Sequence, residues 1–150
     1  MPTSSDPRTL GWLQRALTHE MRAVQQYLAQ SVLARLWGDT ALAAEFRREA
    51  EEELEHAERL MGQLIRLGVA PGAAALPPAR LGRTKSELLV ANHALESEAV
   101  RLYADALAHA RRQRDEEAAS LFADLLADEQ RHEQEQLAML KREAGDGTRV

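Results

Sequence analysis

The sequence predicts an all-α protein, a four-helix bundle made of two antiparallel hairpins joined by one long crossover. Composition is the first observation: the chain is 45% hydrophobic but only 4% aromatic, and Ala, Leu, Glu, Arg and Gln dominate. These residues are strong helix formers, whereas the β-branched residues typical of strands are scarce. Four long helical stretches and a long middle segment are the other two observations. The 150 residues suit a single domain covering 1–150.

Two helices with a short turn between them form the first predicted hairpin. The first helix covers about residues 7–36, with Asp6 as its N-cap and Pro7 at its first position. Gly38 marks its end. The second helix covers about residues 40–67. A turn this short places the two helices antiparallel.

The second predicted hairpin begins at a capping box, TKSE, at residues 84–87. Its helices cover about 84–112 and 115–142, separated by a charged stretch. The tail GDGTRV, residues 145–150, is predicted to fray because terminal segments without packing partners are poorly ordered.

The connection between the hairpins, residues 68–83, is rich in Pro, Gly and Ala. A helix of about 28 residues is about 42 Å long. About 16 extended residues reach about 50 Å. The connection is therefore long enough to run the full length of the bundle.

The two hairpins also look like copies of each other. A shift of 76 positions aligns both Tyr and both Phe of the chain, together with carboxylate and imidazole residues. The aligned pairs are Glu20 and Glu96, Val24 and Val100, Tyr27 and Tyr103, Phe46 and Phe122, Glu53 and Glu129, His56 and His132, and Leu64 and Leu140. An approximate two-fold axis should relate the halves of the bundle.

Four glutamates occupy positions on the predicted apolar faces, one on each helix, at similar distances from the turns. They are Glu20, Glu53, Glu96 and Glu129. On the first helix that apolar face is formed by Leu13, Leu17, Val24 and Leu28. His56 and His132 each follow a glutamate by three residues, so they lie on the same helix face as that glutamate.

Four buried carboxylates at one level are too costly to remain as bare charges. No Lys or Arg lies on these faces near that level, so cation binding is the better interpretation. Two divalent metals would balance the charge of the cluster. Oxygen ligands with some nitrogen and no sulfur suit Fe, Mn or Co. A Glu from each of two helices and Glu-x-x-His from each of the others is the pattern of a dinuclear carboxylate centre.

The remaining candidates have simpler interpretations. Three histidines are interpreted as solvent-facing: His19, His93 and His109. For His93, three residues before Glu96, an outer contact to the centre is the alternative. Tyr103 and Trp37 are interpreted as packing residues. Tyr27 is interpreted as a core aromatic or as a donor of a hydrogen bond or an electron to the centre. Three acidic residues either guide a metal ion along an inner surface or are ordinary solvated charges: Glu45, Glu49 and Glu52.

These residues resemble bacterioferritin, of the ferritin-like superfamily, over about residues 8–140. The likeness includes the spacing of the six ligand positions, the QQY of the first helix, the Trp37-Gly38 turn and the EHAERL stretch. It implies a ferroxidase centre with two Fe per chain. Glu20 with His56 would hold one iron and Glu96 with His132 the other, with Glu53 and Glu129 bridging. It further implies oxidation of Fe²⁺ with O₂ or H₂O₂ and a ferric mineral stored inside an oligomeric shell.

Two departures from that family alter the expectation. Leu54 occupies the position at which haem-binding members of the family have a Met that ligates haem, so haem is not expected. After the fourth helix only about eight residues remain, EAGDGTRV, where the family usually adds a short fifth helix. The expected homo-oligomer is therefore a cage of about 12 or 24 chains, or a dimer.

Charge and cysteine content exclude other classes. A net charge of −5 disfavours nucleic acid as a partner, and the absence of Cys excludes disulfides and thiolate sites. No apolar run is long enough for a membrane span, and residues 1–12 lack a signal peptide, so we expect a cytoplasmic protein. The predicted function is iron storage or detoxification by a ferroxidase. A di-iron or Mn peroxidase or oxidase resembling rubrerythrin, and a metal-free adaptor, are the alternatives.

Overall fold

The computed structural model describes residues 6–147, and within that range it contains four helices and no strand. The helices are α1 (Pro7–Leu36), α2 (Thr40–Arg66), α3 (Lys85–Arg112) and α4 (Glu116–Gly147). α1 packs against α2 and α3 against α4, with further contacts from α1 to α3 and from α2 to α4. The predicted four-helix bundle is confirmed. Within the described residues, no helix combines the length and apolar character needed to cross a membrane.

Side-chain caps explain where the helices begin. The residue before each helix accepts a hydrogen bond from a backbone N–H of the first turn, which satisfies a donor that has no partner inside the helix. These residues are Asp6, Asp39, Thr84 and Asp115. The carboxylate of Glu87 accepts from the backbone N–H of Arg83 at 2.6 Å, one residue before the N-cap Thr84 from which a standard capping box would accept.

The two hairpin turns use the same backbone geometry with different residues. Gly38 ends the first hairpin's turn with a φ of +82°, and Arg114, 76 positions later, has a φ of +56°. Glycine adopts this left-handed region without steric cost, whereas a residue with a side chain rarely does. The backbone geometry of the turn is therefore shared by the two hairpins, but only the first has the residue best suited to it.

Helix α4 is longer than the sequence predicted. Its expected end was Arg142, and its observed end is Gly147. Residues 145–147, predicted to belong to a frayed tail, are assigned to the helix, while 148–150 lie outside the described residues. Glu143 lies 3.5 Å from the ammonium of Lys85, and Leu140 packs on the core. These contacts hold α4 against the start of α3 as far as Glu143, one residue beyond the predicted helix end.

The crossover runs along α1, as its length predicted. Three hydrogen bonds of 2.8–3.1 Å fix it at successive levels of that helix. They join Ala74 to Thr18, Pro77 to Gln25 and Arg80 to Gln30. The connection thus leaves α2 at one end of the bundle and starts α3 at the other.

The core consists of two clusters on either side of the middle level. The Gly38 half lies near the α1–α2 turn and contains Ala23, Tyr27, Ala34, Leu42, Ala43, Phe46, Ala50, Leu88, Leu89, Leu95 and Met139. The Arg114 half lies near the α3–α4 turn and contains Leu13, Ala16, Leu17, Ala57, Leu60, Leu64, Ala99, Tyr103, Ala106, Leu107, Ala110, Ala118, Phe122 and Leu125. Leu28, predicted to lie on the apolar face of α1, is instead 38% exposed. It lies four residues beyond Val24, at the edge of the face that the core covers.

Candidate metal centre

All six predicted ligand residues meet in the interior, between the two core clusters. Each is at most 4% exposed. They are Glu20 on α1, Glu53 and His56 on α2, Glu96 on α3, and Glu129 and His132 on α4. Six polar side chains from four helices are therefore buried at one level, where water cannot satisfy them.

His56 points one ring nitrogen into the cluster and the other out of it. Its Nδ1 lies 2.9 Å from Glu129 Oε1 and 3.5 Å from Glu20 Oε1. Its Nε2 lies 3.0 Å from Asp128 Oδ2. Nδ1 is therefore the nitrogen available to a metal, and Asp128 holds the ring in that orientation.

His132 has the matching arrangement. Its Nδ1 lies 3.0 Å from Glu53 Oε1, and its Nε2 contacts a carboxylate oxygen of Glu52. The rings of His56 and His132 are nearly parallel, with centroids 5.9 Å apart. A metal-binding His normally has its second nitrogen held by such an outer acceptor, which fixes its tautomer.

The outer acceptors were not identified from the sequence, although the repeat contains a signal for them. Glu52 and Asp128 are 76 positions apart, and each directly precedes a ligand glutamate. Glu52 therefore contacts a ligand histidine, which neither of its predicted interpretations described.

Two buried tyrosines complete the symmetric part of the centre. Tyr27 donates to Glu96 Oε1 at 2.6 Å, and Tyr103 donates to Glu20 Oε1 at 2.5 Å. Burial, and then the neighbouring carboxylates, raise the pKa of both phenols, so they stay protonated donors. Interpreting Tyr103 as a packing residue missed this contact. Each tyrosine therefore fixes one oxygen of a predicted ligand carboxylate.

The side chains form two groups in which the ligand atoms all lie within 4.8 Å of one another. The first group is Glu20, Glu53, His56 and Glu129. The second is Glu49, Glu53, Glu96 and His132. Glu53 belongs to both, whereas Glu49 takes the place in the second group that Glu129 has in the first. Glu49 was interpreted either as a guide for metal ions or as a solvated charge, and its burial contradicts the second interpretation.

Burial and the crowding of carboxylates shift the pKa values of several side chains in this cluster. Burial raises the pKa of Glu53 and of Glu96, and nearby carboxylates raise both further. Burial opposes charge on His132, yet its contact with Glu129 and the surrounding carboxylates raise its pKa to about 10. Contacts with Glu129 and Glu20 raise the pKa of His56 in the same way. A bound cation would relieve the burial and mutual repulsion that shift these pKa values.

The chemistry of the donors fits a divalent metal. Among residues 6–147, no Lys or Arg forms an ion pair with any of the four predicted ligand carboxylates. Glu20 and Glu129 each keep one buried carboxylate oxygen without a hydrogen-bond partner. Such atoms are costly unless something binds them. Oxygen and imidazole donors without sulfur suit Fe, Mn or Co.

The other histidines are not all solvent-facing as predicted. His109 is 4% exposed, and its Nε2 lies 3.2 Å from Thr9 Oγ1 and 3.1 Å from Asp6 Oδ2. It joins the end of α3 to the start of α1, so its role is structural. His19 and His93 are half-buried.

The fold and this interior cluster define a four-helix-bundle protein with a carboxylate and histidine site at its centre. The family model of the ferritin-like domain matches residues 11–144. The bacterioferritin of Mycobacterium bovis is 32% identical over 110 residues, which is 73% of this chain and 69% of the relative. That of Mycolicibacterium paratuberculosis is 34% identical over the same shares. That of Rhodobacter capsulatus is 32% identical over 101 residues, 67% of this chain and 63% of the relative. The chain belongs to the ferritin-like family and is of the bacterioferritin type.

Proposed function

We propose that this protein is a ferroxidase that oxidises Fe²⁺ with O₂ or H₂O₂ and stores the ferric product in an oligomeric shell. The observation that carries the proposal is the burial of four carboxylates and two imidazoles at one level, with no Lys or Arg paired to the carboxylates within residues 6–147. Iron is the substrate of this reaction.

The residues divide into terminal and bridging ligands. Glu20 with His56 holds one Fe²⁺, and Glu96 with His132 holds the other. Glu53 and Glu129 lie between the two positions and bridge them. Glu53 supports this assignment because it belongs to both groups of ligand atoms. Glu129 supports it because its carboxylate lies 2.9 Å from Nδ1 of His56 and 3.7 Å from Nδ1 of His132.

Two Fe²⁺ held side by side supply two electrons, which reduce H₂O₂ to two hydroxides, or O₂ and two protons to H₂O₂. The protein's part is to hold hard anionic ligands that favour Fe³⁺ and to keep them positioned. Tyr27 and Tyr103 fix one oxygen of a terminal carboxylate each, and Asp128 and Glu52 fix the imidazoles. The apolar clusters above and below exclude bulk water from the ligands.

Aerobic addition of Fe²⁺ to metal-free protein tests the proposal. Near-ultraviolet absorbance follows oxidation, and iron retained after gel filtration measures storage. We expect fast oxidation up to two irons per chain, followed by slower uptake of many more. Glu53→Gln should abolish the fast phase. Glu51→Gln removes the same charge two positions earlier, from a side chain that is 63% exposed, and should leave the fast phase intact.

Other stoichiometries would identify the alternatives. Oxidation that stops at two irons per chain would indicate a di-iron or Mn peroxidase or oxidase without mineral storage. Almost no retained iron, with no fast phase, would contradict a metal-binding function and indicate an adaptor.

Assembly and haem content are separate parts of the proposal. The surface carries exposed apolar side chains on α1 and α2, including Val32 at 48% and Leu54 at 43% exposure. We propose that such side chains are covered in a homo-oligomer, and light scattering should give a dimer or a cage of about 12 or 24 chains. Because Leu54 offers no axial ligand, protein purified with adequate haem should show no Soret band.

A further inference from the structure

The second ligand group contains a carboxylate that the repeat does not explain. Glu49 lies one helical turn before Glu53 on α2 and is only 8% exposed. Its ligand oxygen lies within 4.8 Å of those of Glu53, Glu96 and His132. Its Oε2 is buried without a hydrogen-bond partner. Glu49 therefore brings a carboxylate oxygen close to the other ligand atoms, and its carboxylate also keeps a buried oxygen that a cation would satisfy.

The corresponding position beside the other histidine has no carboxylate. Shifted by 76 positions, Glu49 aligns with Leu125, which is fully buried in the Arg114 half. The two metal positions therefore differ in one ligand. The position at Glu96 and His132 has an additional anionic oxygen, and the position at Glu20 and His56 has an aliphatic side chain instead.

A second polar side chain lies on the same side of the centre. Gln136 is one turn beyond His132 on α4, is fully buried, and has no partner for either its amide oxygen or its amide nitrogen. His132 contacts Glu53, and Glu49 precedes Glu53 by one turn, so Gln136 and Glu49 lie at nearby levels of antiparallel helices. The repeat aligns Gln136 with Leu60. Glu49 and Gln136, the two polar residues whose counterparts are leucines, therefore both lie on the His132 side of the centre.

We propose that Glu49 is an additional metal ligand specific to the Glu96 and His132 position, and that it makes the two metal positions unequal in affinity. Four carboxylates and one imidazole would face the second position if Glu129 bridges, against three carboxylates and one imidazole at the first. Because an added anionic oxygen favours a hard divalent cation, the His132 position is the tighter one and fills first. This inference rests on the proposed metal centre.

Anaerobic titration of metal-free protein with Co²⁺, followed by its visible absorbance, tests the inference without any reaction. We expect two Co²⁺ per chain bound in two resolved steps. Glu49→Leu, which copies the residue of the other half, should weaken the tighter step by about 10- to 100-fold, the loss typical when a residue supporting a metal site is removed. The weaker step should stay unchanged. Glu49→Gln keeps the size of the side chain and one oxygen, so it should have a smaller effect on the same step.

Glu45→Gln is the matched control, since Glu45 lies one turn before Glu49 on α2, farther from Glu53, and is only partly buried. It should leave both steps unchanged. If Glu49→Leu leaves both Co²⁺ binding steps unchanged, or weakens them equally, Glu49 is not a ligand specific to one position. The proposed metal centre would be unaffected by that result. A protein that binds no Co²⁺ would overturn the proposed centre and this inference together.

Discussion

The two halves of the bundle share the geometry of their contacts with the centre. Tyr27 packs on Phe46 with ring centroids 6.4 Å apart at 38°, and Tyr103 packs on Phe122 at 6.3 Å and 40°. Each tyrosine then donates to a glutamate of the opposite hairpin. Around the ligands, the repeat is therefore reproduced in geometry as well as in sequence.

One turn away from the ligands the halves differ. In the Gly38 half, Asn92 accepts from Gln26 at 2.9 Å and donates to Gln30 at 2.7 Å. Shifted by 76 positions, these three residues align with apolar ones: Ala16, Leu102 and Ala106. Glu49 and Gln136 show the same contrast with Leu125 and Leu60. The comparison shows that the candidate ligands and the tyrosines that contact them keep the symmetry, while polar side chains one turn away in the Gly38 half have apolar counterparts in the Arg114 half.

The repeat aligns Glu49 with Leu125, and alanine substitutions at these two positions should lower the free energy of unfolding by very different amounts. Leu125→Ala removes a fully buried side chain from the apolar half and should lower the free energy of unfolding by about 2–5 kcal/mol. Glu49→Ala removes a buried, unpartnered carboxylate and should cost metal-free protein less than about 1 kcal/mol. Urea unfolding of metal-free protein measures both values. Equal losses would mean that the two halves are energetically alike.

Gln136→Leu should stabilise the metal-free protein. The substitution replaces a buried amide that has no hydrogen-bond partner with the residue type of its counterpart, Leu60. Leucine is similar in size, so we expect a gain of about 1–3 kcal/mol. The reverse change, Leu60→Gln, should lose a similar amount in the same unfolding experiment. A loss of stability in Gln136→Leu would show that the amide makes a contact that stabilises the fold.

The outer acceptors should behave as equivalent residues. Asp128→Asn and Glu52→Gln should each weaken metal binding about 10- to 100-fold, or about 1.4–2.7 kcal/mol, at the position of the histidine they hold. Isothermal titration with Co²⁺ measures both. If only one of the two variants loses affinity, the symmetry of the centre does not extend to its outer contacts.

The smallest effect is expected at the α3–α4 turn. Arg114 has a φ of +56°, which costs about 1–2 kcal/mol for a residue with a side chain. Arg114→Gly copies Gly38 but adds flexibility to the unfolded chain, at about 0.5–1 kcal/mol. Thermal unfolding should therefore show a net gain of between zero and about 1.5 kcal/mol. The opposite exchange, Gly38→Arg, should be destabilising.

Sequence patterns predicted the helices because their ends have local causes. Asp6, Asp39 and Thr84 cap helices with their own side chains, and Gly38 stops one with its own backbone. α4 also contacts the start of α3 beyond its predicted end, through Glu143 and Lys85, and a local pattern does not contain that contact. The predicted end of α4 was five residues short.

The candidate ligands were predicted because the repeat marks residues present twice. Glu49 has a leucine as its counterpart, so the same reasoning passed over it. His109 also has no counterpart, since Leu33 occupies that position. Its burial depends on Thr9 and Asp6, which are about a hundred positions away in the chain. Asymmetric contacts between distant segments are visible only in three dimensions.

The most direct test of the metal centre is an anaerobic titration of metal-free protein with Fe²⁺, reading bound iron per chain by equilibrium dialysis. The centre predicts saturation at two Fe²⁺ per chain, and loss of both in the double variant Glu53→Gln and Glu129→Gln, which removes the two proposed bridging carboxylates. Saturation below one iron per chain, or binding that this double variant leaves unchanged, would contradict a dinuclear site formed by these residues.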